Sequence, residues 1–111
     1  MHEQTKAVDI PKKVKEEVYE RDAQVVGEGV CIICLGPGGI PNSHYIRRSQ
    51  GGLGIPENVG TMCIHCHDAY DFGANGKREE IGKRFRDYLK ARYPGWNEKD
   101  LVYSKWADFP L

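Results

Sequence analysis

The chain has no apolar run of membrane-spanning length, which excludes a transmembrane protein. Its opening residues, Met1-His2-Glu3-Gln4-Thr5-Lys6, lack the apolar stretch of a signal peptide, so a cytoplasmic protein with reduced thiols is expected. Net charge is also missing: 16 basic residues balance 16 acidic ones, so no global field steers the protein toward nucleic acid. Any polyanion site must come from local clustering. Internal repeats and low-complexity stretches are absent. What is present is one domain's worth of chain, 111 residues with 40% hydrophobic side chains. The 29% of charged residues and the 13 glycines keep the core small. Domains of this size often need a metal or a disulfide staple, so the four cysteines are the first feature to explain.

Residues 1–10 carry no periodicity and read as a flexible terminus. Pro11 suits a first helical turn, and Val14 and Val18 are four apart, which predicts a short amphipathic helix over 11–21. Gly27 and Gly29 break the chain. Cys34-Leu35-Gly36-Pro37-Gly38-Gly39 reads as a turn. Strands are expected over 42–48 and 58–62, then a helix from Cys63 or Ile64 to about Asp71, ended by Phe72-Gly73-Ala74-Asn75-Gly76. Residues 77–93 form the longest predicted helix, with Ile81, Phe85 and Leu89 every four residues and Pro94-Gly95 as the stop. The tail 94–111 holds Trp96, Leu101, Val102, Tyr103, Trp106 and Phe109, expected to pack on the domain or on a partner.

Between Lys77 and Arg92, seven basic residues (Lys77, Arg78, Lys83, Arg84, Arg86, Lys90, Arg92) face Glu79, Glu80 and Asp87, a local surplus of four positive charges. Such a surplus fits a solvated helix face or a surface turned toward phosphates.

Cys31-Ile32-Ile33-Cys34 and Cys63-Ile64-His65-Cys66 are two Cys-x-x-Cys pairs separated by the 28 residues 35–62. Each knuckle offers two thiolates, and together they supply the four sulfurs of tetrahedral structural zinc. A closed four-sulfur shell leaves no open position, so this ion is not expected to be catalytic. His65 either replaces a cysteine as ligand or faces solvent within the knuckle.

The insert between the knuckles carries His44 and Asn58, and His67 and Asp71 follow the last cysteine. On a helix, His67 and Asp71 share one face a turn apart. An imidazole and a carboxylate so placed suit a divalent ion with open positions, such as Mg²⁺ or Mn²⁺. His44, on the facing strand, has the chemistry to accept a proton from water.

These residues carry a resemblance. Ser43-His44-Tyr45-Ile46-Arg47-Arg48-Ser49-Gln50-Gly51-Gly52-Leu53-Gly54, Glu57-Asn58-Val59 and Thr61-Met62-Cys63-Ile64-His65-Cys66-His67-Asp68-Ala69-Tyr70-Asp71 follow one another in order. With the first knuckle and Arg21-Asp22, they make residues 11–92 similar to the HNH family of metal-dependent nucleases. Within that family it looks like the small four-cysteine members common in bacteriophages and prophages. The resemblance implies an α+β domain of the ββα-metal (HNH, or His-Me finger) kind, stapled by zinc over residues 11–93, with flanking helices. It implies His44 as general base, Asn58 as the residue holding the base's loop, and His67 as a catalytic-metal ligand with Asp71 as a further one. Arg47 and Arg48 are candidate phosphate contacts, with Lys83, Arg84 and Arg86 as further DNA-binding residues. Many family members place an acidic or histidine metal ligand immediately before the first motif histidine. Here that position is Ser43, a poor ligand, so the ion would rest on His67, Asp71, water and DNA phosphates and bind weakly without DNA.

The function so implied is a nicking DNA endonuclease of low sequence specificity, leaving a 5′-phosphate and a 3′-hydroxyl. Phage DNA processing or packaging is the implied setting, with DNA, a terminase and a second copy of the chain as candidate partners and no membrane. The competing readings are a non-catalytic zinc-stabilised DNA-binding module and a structural or protein-interaction zinc domain.

Overall fold

The computed structural model describes residues 7–73 and 76–103. Residues 1–6 of the terminus, Ala74 and Asn75 of the predicted stop, and Trp106 and Phe109 of the tail lie outside them. The described chain is a small α+β structure. It has three main helices, α1 (Lys12–Val26), α2 (Ile64–Asp71) and α3 (Arg78–Arg92), and two strands, β1 (Ile40–His44) and β2 (Val59–Met62). The strands pair antiparallel, with Ser43 opposite Gly60 and His44 opposite Val59, and the register shifts between Ile40 and Ser43.

The core forms where α3 meets β2 and the two cysteine segments. Ile81, Phe85 and Leu89 are all buried, as their four-residue spacing predicts. They join Cys31, Ile32, Met62, Cys63 and Ala69 in one apolar cluster. The helix sits so close to β2 that a Cβ on Gly60 would lie 2.6 Å from the Phe85 ring. A side chain at position 60 would therefore push α3 away.

Two element boundaries differ from expectation. Helix α1 runs five residues past the predicted end, to Val26, before Gly27 at φ 112° stops it. The extra turn is held by a tertiary network. Asp22, 1% exposed, accepts hydrogen bonds from Arg21 Nε (2.8 Å) and Nη2 (3.2 Å), the Thr61 amide (2.9 Å) and the Tyr88 hydroxyl (2.5 Å). Arg21 also donates to the carbonyls of Pro56 (2.7 Å) and Val59 (2.8 Å). Helix α1 is thereby tied to β2 and α3 through a buried carboxylate that reads, in the sequence, as a polar helix end.

Strand β1 covers 40–44 rather than 42–48. Its regular ladder ends at His44, after which the Tyr45 amide still reaches the Asn58 carbonyl at 2.7 Å. From Ile46 onward the partner is the Asn58 side chain instead of a strand backbone.

The amino-terminal expectation needs correction for residues 7–10. They are not free: Val8 is buried, and the Gly54 amide donates to the Ala7 carbonyl at 2.9 Å. In the tail, Leu101 is buried and the Trp96 indole donates to the Glu57 carbonyl at 2.8 Å. Leu53 and Tyr103 donate backbone bonds to Leu101 (2.8 Å) and Gly51 (2.7 Å), so residues 96–103 lie back on the body.

Candidate functional site

The two knuckles meet. The sulfurs of Cys31, Cys34, Cys63 and Cys66 all lie within 4.8 Å of one another. Cys34 and Cys63 are 3.7 Å apart, and a tetrahedral shell with metal–sulfur bonds of about 2.3 Å has edges of about 3.8 Å. The first knuckle is shaped by a Leu35 amide bond to the Cys31 carbonyl (2.9 Å), with Leu35 itself at φ 62°. In the second, Cys63 caps α2 and its sulfur accepts from the Cys66 amide at 3.5 Å.

The electrostatics call for a cation. Burial and the neighbouring sulfurs of Cys63, Cys31 and Cys34 push the Cys66 thiol far above its ordinary value. Burial also opposes charge on Cys31, yet amides of Cys34, Cys63 and Ile33 directed at its sulfur bring it below the ordinary value. Four thiolates so close together are stable only around a positive ion, and the cluster can hold a structural metal such as zinc. His65 is exposed and is not one of the clustered ligands.

The other set sits on the second half of the fold. His44, His67 and Asp71 line a single cleft of about 580 Å³, together with Ile10, Lys15, Asn42, Arg48, Ser49 and Phe72. Strand β1 delivers His44, and α2 delivers His67 and Asp71 from one face, as their spacing predicts. His44 is buried, and its Nε2 lies 2.7 Å from the Val8 carbonyl oxygen. A carbonyl only accepts, so Nε2 carries the proton and Nδ1 holds the lone pair of the neutral ring. Burial lowers the His44 pKa, and the positive charge of Arg48 and the proximity of His67 act in the same direction. The Val8 carbonyl and Asp71 oppose them, and the net direction is down. The ring is therefore neutral at pH 7.

His67 Nδ1 lies 3.3 Å from the Asp68 carboxylate, an arrangement in which Nδ1 donates and the lone pair is on Nε2. Among the described residues only the four cysteines bring three or more His, Cys, Asp or Glu ligand atoms close together, so the cleft holds no such group of three. Ser43 does not add one. It is buried, its hydroxyl has no hydrogen-bond partner, and it borders a small cavity of about 130 Å³ with Met62, Ile64 and His67.

Asn58 is fully buried and works as a clamp. Its Oδ1 accepts from the Ile46 amide (2.8 Å), and its Nδ2 donates to the carbonyls of Ile46 (3.1 Å) and Leu53 (2.8 Å). Glycine at 52 permits this: a Cβ there would lie 1.6 Å from the Ile46 oxygen. The side chain thus fixes the chain leaving His44.

The predicted basic residues do not converge. Of the five, only Arg48 lines the His44 cleft, where it pairs with Asp9. Lys83 and Arg86 line a different cleft with Tyr45, Glu79 and Glu80. Arg84 pairs with Glu80 at 3.6 Å and Arg86 with Asp87 at 3.5 Å. Arg47 is half-buried. Sequence reasoning missed Lys15, Asn42, Asp68, the Val8 carbonyl and Phe72, which is 72% exposed beside Asp71. Asp68 and Phe72 were signalled only by adjacency to the predicted ligands, and the others by nothing local.

No protein-family model, curated protein or solved structure matches the chain.

Proposed function

We propose that the protein is a metal-dependent DNA endonuclease of the HNH type, nicking one strand at a time with little sequence preference. The observation that carries this reading is the convergence of His44, His67 and Asp71 on one cleft with Arg48. The succession of two antiparallel strands and a short helix accords with the ββα-metal fold that the resemblance implies.

In this reading neutral His44 accepts a proton from the attacking water through Nδ1. Asn58 holds the chain that follows the base. His67 and Asp71 would hold a divalent cation such as Mg²⁺ or Mn²⁺, which when bound supplies positive charge opposite the phosphoryl and leaving oxygens. With two such side chains and a serine at position 43, water and DNA phosphates complete its surroundings, so affinity without DNA is low. Arg48 and Lys15 offer cations to the phosphates flanking the cut. The four cysteines hold zinc in a closed shell that takes no part in the chemistry.

The test is cleavage of supercoiled plasmid by zinc-loaded protein in Mg²⁺, Mn²⁺ or EDTA, with His44→Ala alongside. Metal-dependent open circles, lost in the variant, are the expected result. Folded protein that binds DNA but cuts with neither metal would sink the nuclease reading and leave a non-catalytic DNA-binding module.

A further inference from the structure

Residues 7–10 make three polar contacts with residues 44–54, two of them to His44 and Arg48 of the candidate site. The Gly54 amide holds the Ala7 carbonyl at 2.9 Å. Asp9 pairs with Arg48. Between them the Val8 carbonyl meets His44 Nε2 at 2.7 Å, and the Val8 side chain is buried beneath. The segment is tightly seated. A Cβ on Gly54 would lie 2.0 Å from the Asp9 carbonyl oxygen and 3.0 Å from Ile10 Cα. Every one of these contacts joins the amino-terminal segment to residues 44–54.

We infer that residues 7–10 are a positioning strap, in which the Val8 carbonyl selects the Nε2–H tautomer of His44 and so assigns the proton-accepting role to Nδ1. The physical basis is the one-way character of a carbonyl. With the proton on Nδ1 instead, the Nε2 lone pair would face the Val8 oxygen at 2.7 Å in a buried place, two acceptors with no proton between them. Losing a buried hydrogen bond and gaining that repulsion biases the tautomers by on the order of ten-fold or more. Asn58 does not perform this task, because its carboxamide bonds Ile46 and Leu53 and not the ring. As a tautomer lock the strap stands on geometry alone. As a catalytic aid it rests on the nuclease reading above.

The experiment uses the full, zinc-loaded chain with ¹⁵N-labelled histidine. Long-range ¹H–¹⁵N spectra at a pH where His44 is neutral report which ring nitrogen carries the proton. Wild type is expected to show Nε2–H. Gly54→Ala, which forces the Asp9 carbonyl away, is expected to raise the Nδ1–H share about ten-fold while the zinc-site resonances stay in place. Asp9→Asn, which removes the Arg48 ion pair without steric force, tests the same point if Gly54→Ala does not fold, with a smaller shift expected. On plasmid, the variants are expected to lose kcat in proportion to the tautomer shift, with KM for DNA nearly constant.

Nδ1–H in wild type, or an unchanged tautomer in both folded variants, would overturn the strap. A shifted tautomer with unchanged kcat would overturn its role in positioning the base. A shifted tautomer in a protein whose wild type never cuts DNA would support the lock and remove the nuclease reading instead.

Discussion

Replacing Asn58 with alanine is expected to lower folding stability by about 3 kcal/mol. The carboxamide serves three backbone groups: the Ile46 amide at 2.8 Å, the Ile46 carbonyl at 3.1 Å and the Leu53 carbonyl at 2.8 Å. A buried polar group left without a partner costs roughly 1–3 kcal/mol. Ile46 and Leu53 are half-buried, so water can reach part of what alanine would expose, and the low end of about 1 kcal/mol per group applies. That yields about 3 kcal/mol, well above the roughly 0.5 kcal/mol of an ordinary surface change. The sharper variant is Asn58→Asp, which keeps size and the bond from Ile46. Its second oxygen would face two carbonyls, so the folded protein prefers the protonated acid. A pKa raised by folding contributes stability below the unfolded value and loses it as pH rises. Asn58→Asp is therefore expected to weaken relative to wild type from pH 5.5 toward pH 8 (roughly the span above the ordinary carboxyl range). Urea unfolding at constant saturating zinc measures both variants. A loss below about 1 kcal/mol for alanine, or an aspartate variant as stable as wild type at pH 8, would refute the clamp.

Three further outcomes follow from the same structure. Chelation of the cysteine-bound metal is expected to abolish the helical circular-dichroism signal cooperatively, and Cys66→Ser to prevent refolding in zinc; retained structure after verified metal removal would contradict a structural role. Asp22→Asn is expected to cost about 3–5 kcal/mol by stranding the Arg21 guanidinium, whose side chain is 13% exposed, whereas Tyr88→Phe costs about 1 kcal/mol; equal losses in thermal or urea melts would show that the charge itself is unimportant. Because burial lowers the His44 pKa, folding stability from this residue is present above about pH 6.5 and is lost as pH falls through its lower folded value. The acid limb of plasmid cleavage is expected below about pH 6.5, and a midpoint above that value would contradict the direction of that shift in the working site.

What was legible in the sequence was whatever local spacing dictates. Cys31 to Cys34 and Cys63 to Cys66 announce their cluster because two residues between thiols make a knuckle in any context. Ile81, Phe85 and Leu89 announce a buried face because four-residue repeats stack on a helix. His67 and Asp71 share a face for the same reason. The errors share a different cause. Helix α1 outruns its expected end because Asp22 finds partners on β2 and α3, at Thr61 and Tyr88. Strand β1 stops early because the Asn58 side chain replaces a strand partner twelve residues away. The seating of residues 7–10 depends on His44, Arg48 and Gly54, none of which can be inferred from the terminus itself. The basic residues over 77–92 fitted either a solvated face or a phosphate-facing surface, and spacing could not reveal that Arg84 and Arg86 pair with Glu80 and Asp87 or that Lys83 and Arg86 line a separate cleft.

The arrangement also couples the two halves of the molecule through one short helix. Helix α2 has eight residues, too few to be stable alone in water. Its amino end is Cys63 and Cys66, and its next residue is His67, with Asp71 one turn beyond. Whatever fixes the sulfurs therefore fixes the first turn, from which the cleft-lining imidazole projects. The carboxyl end is held differently: Arg78 of α3 donates to the carbonyls of Tyr70 (2.8 Å) and Asp71 (2.7 Å), capping the last turn. Tyr70 in turn donates to the Tyr45 carbonyl, directly after His44. The cysteine cluster, the Arg78 cap and the Tyr70 bridge thus set the distance between the strand and the helix that line the cleft. A domain with so small a core has few apolar contacts to spend on such alignment, and a metal held by the four cysteines would supply stiffness where packing alone is marginal.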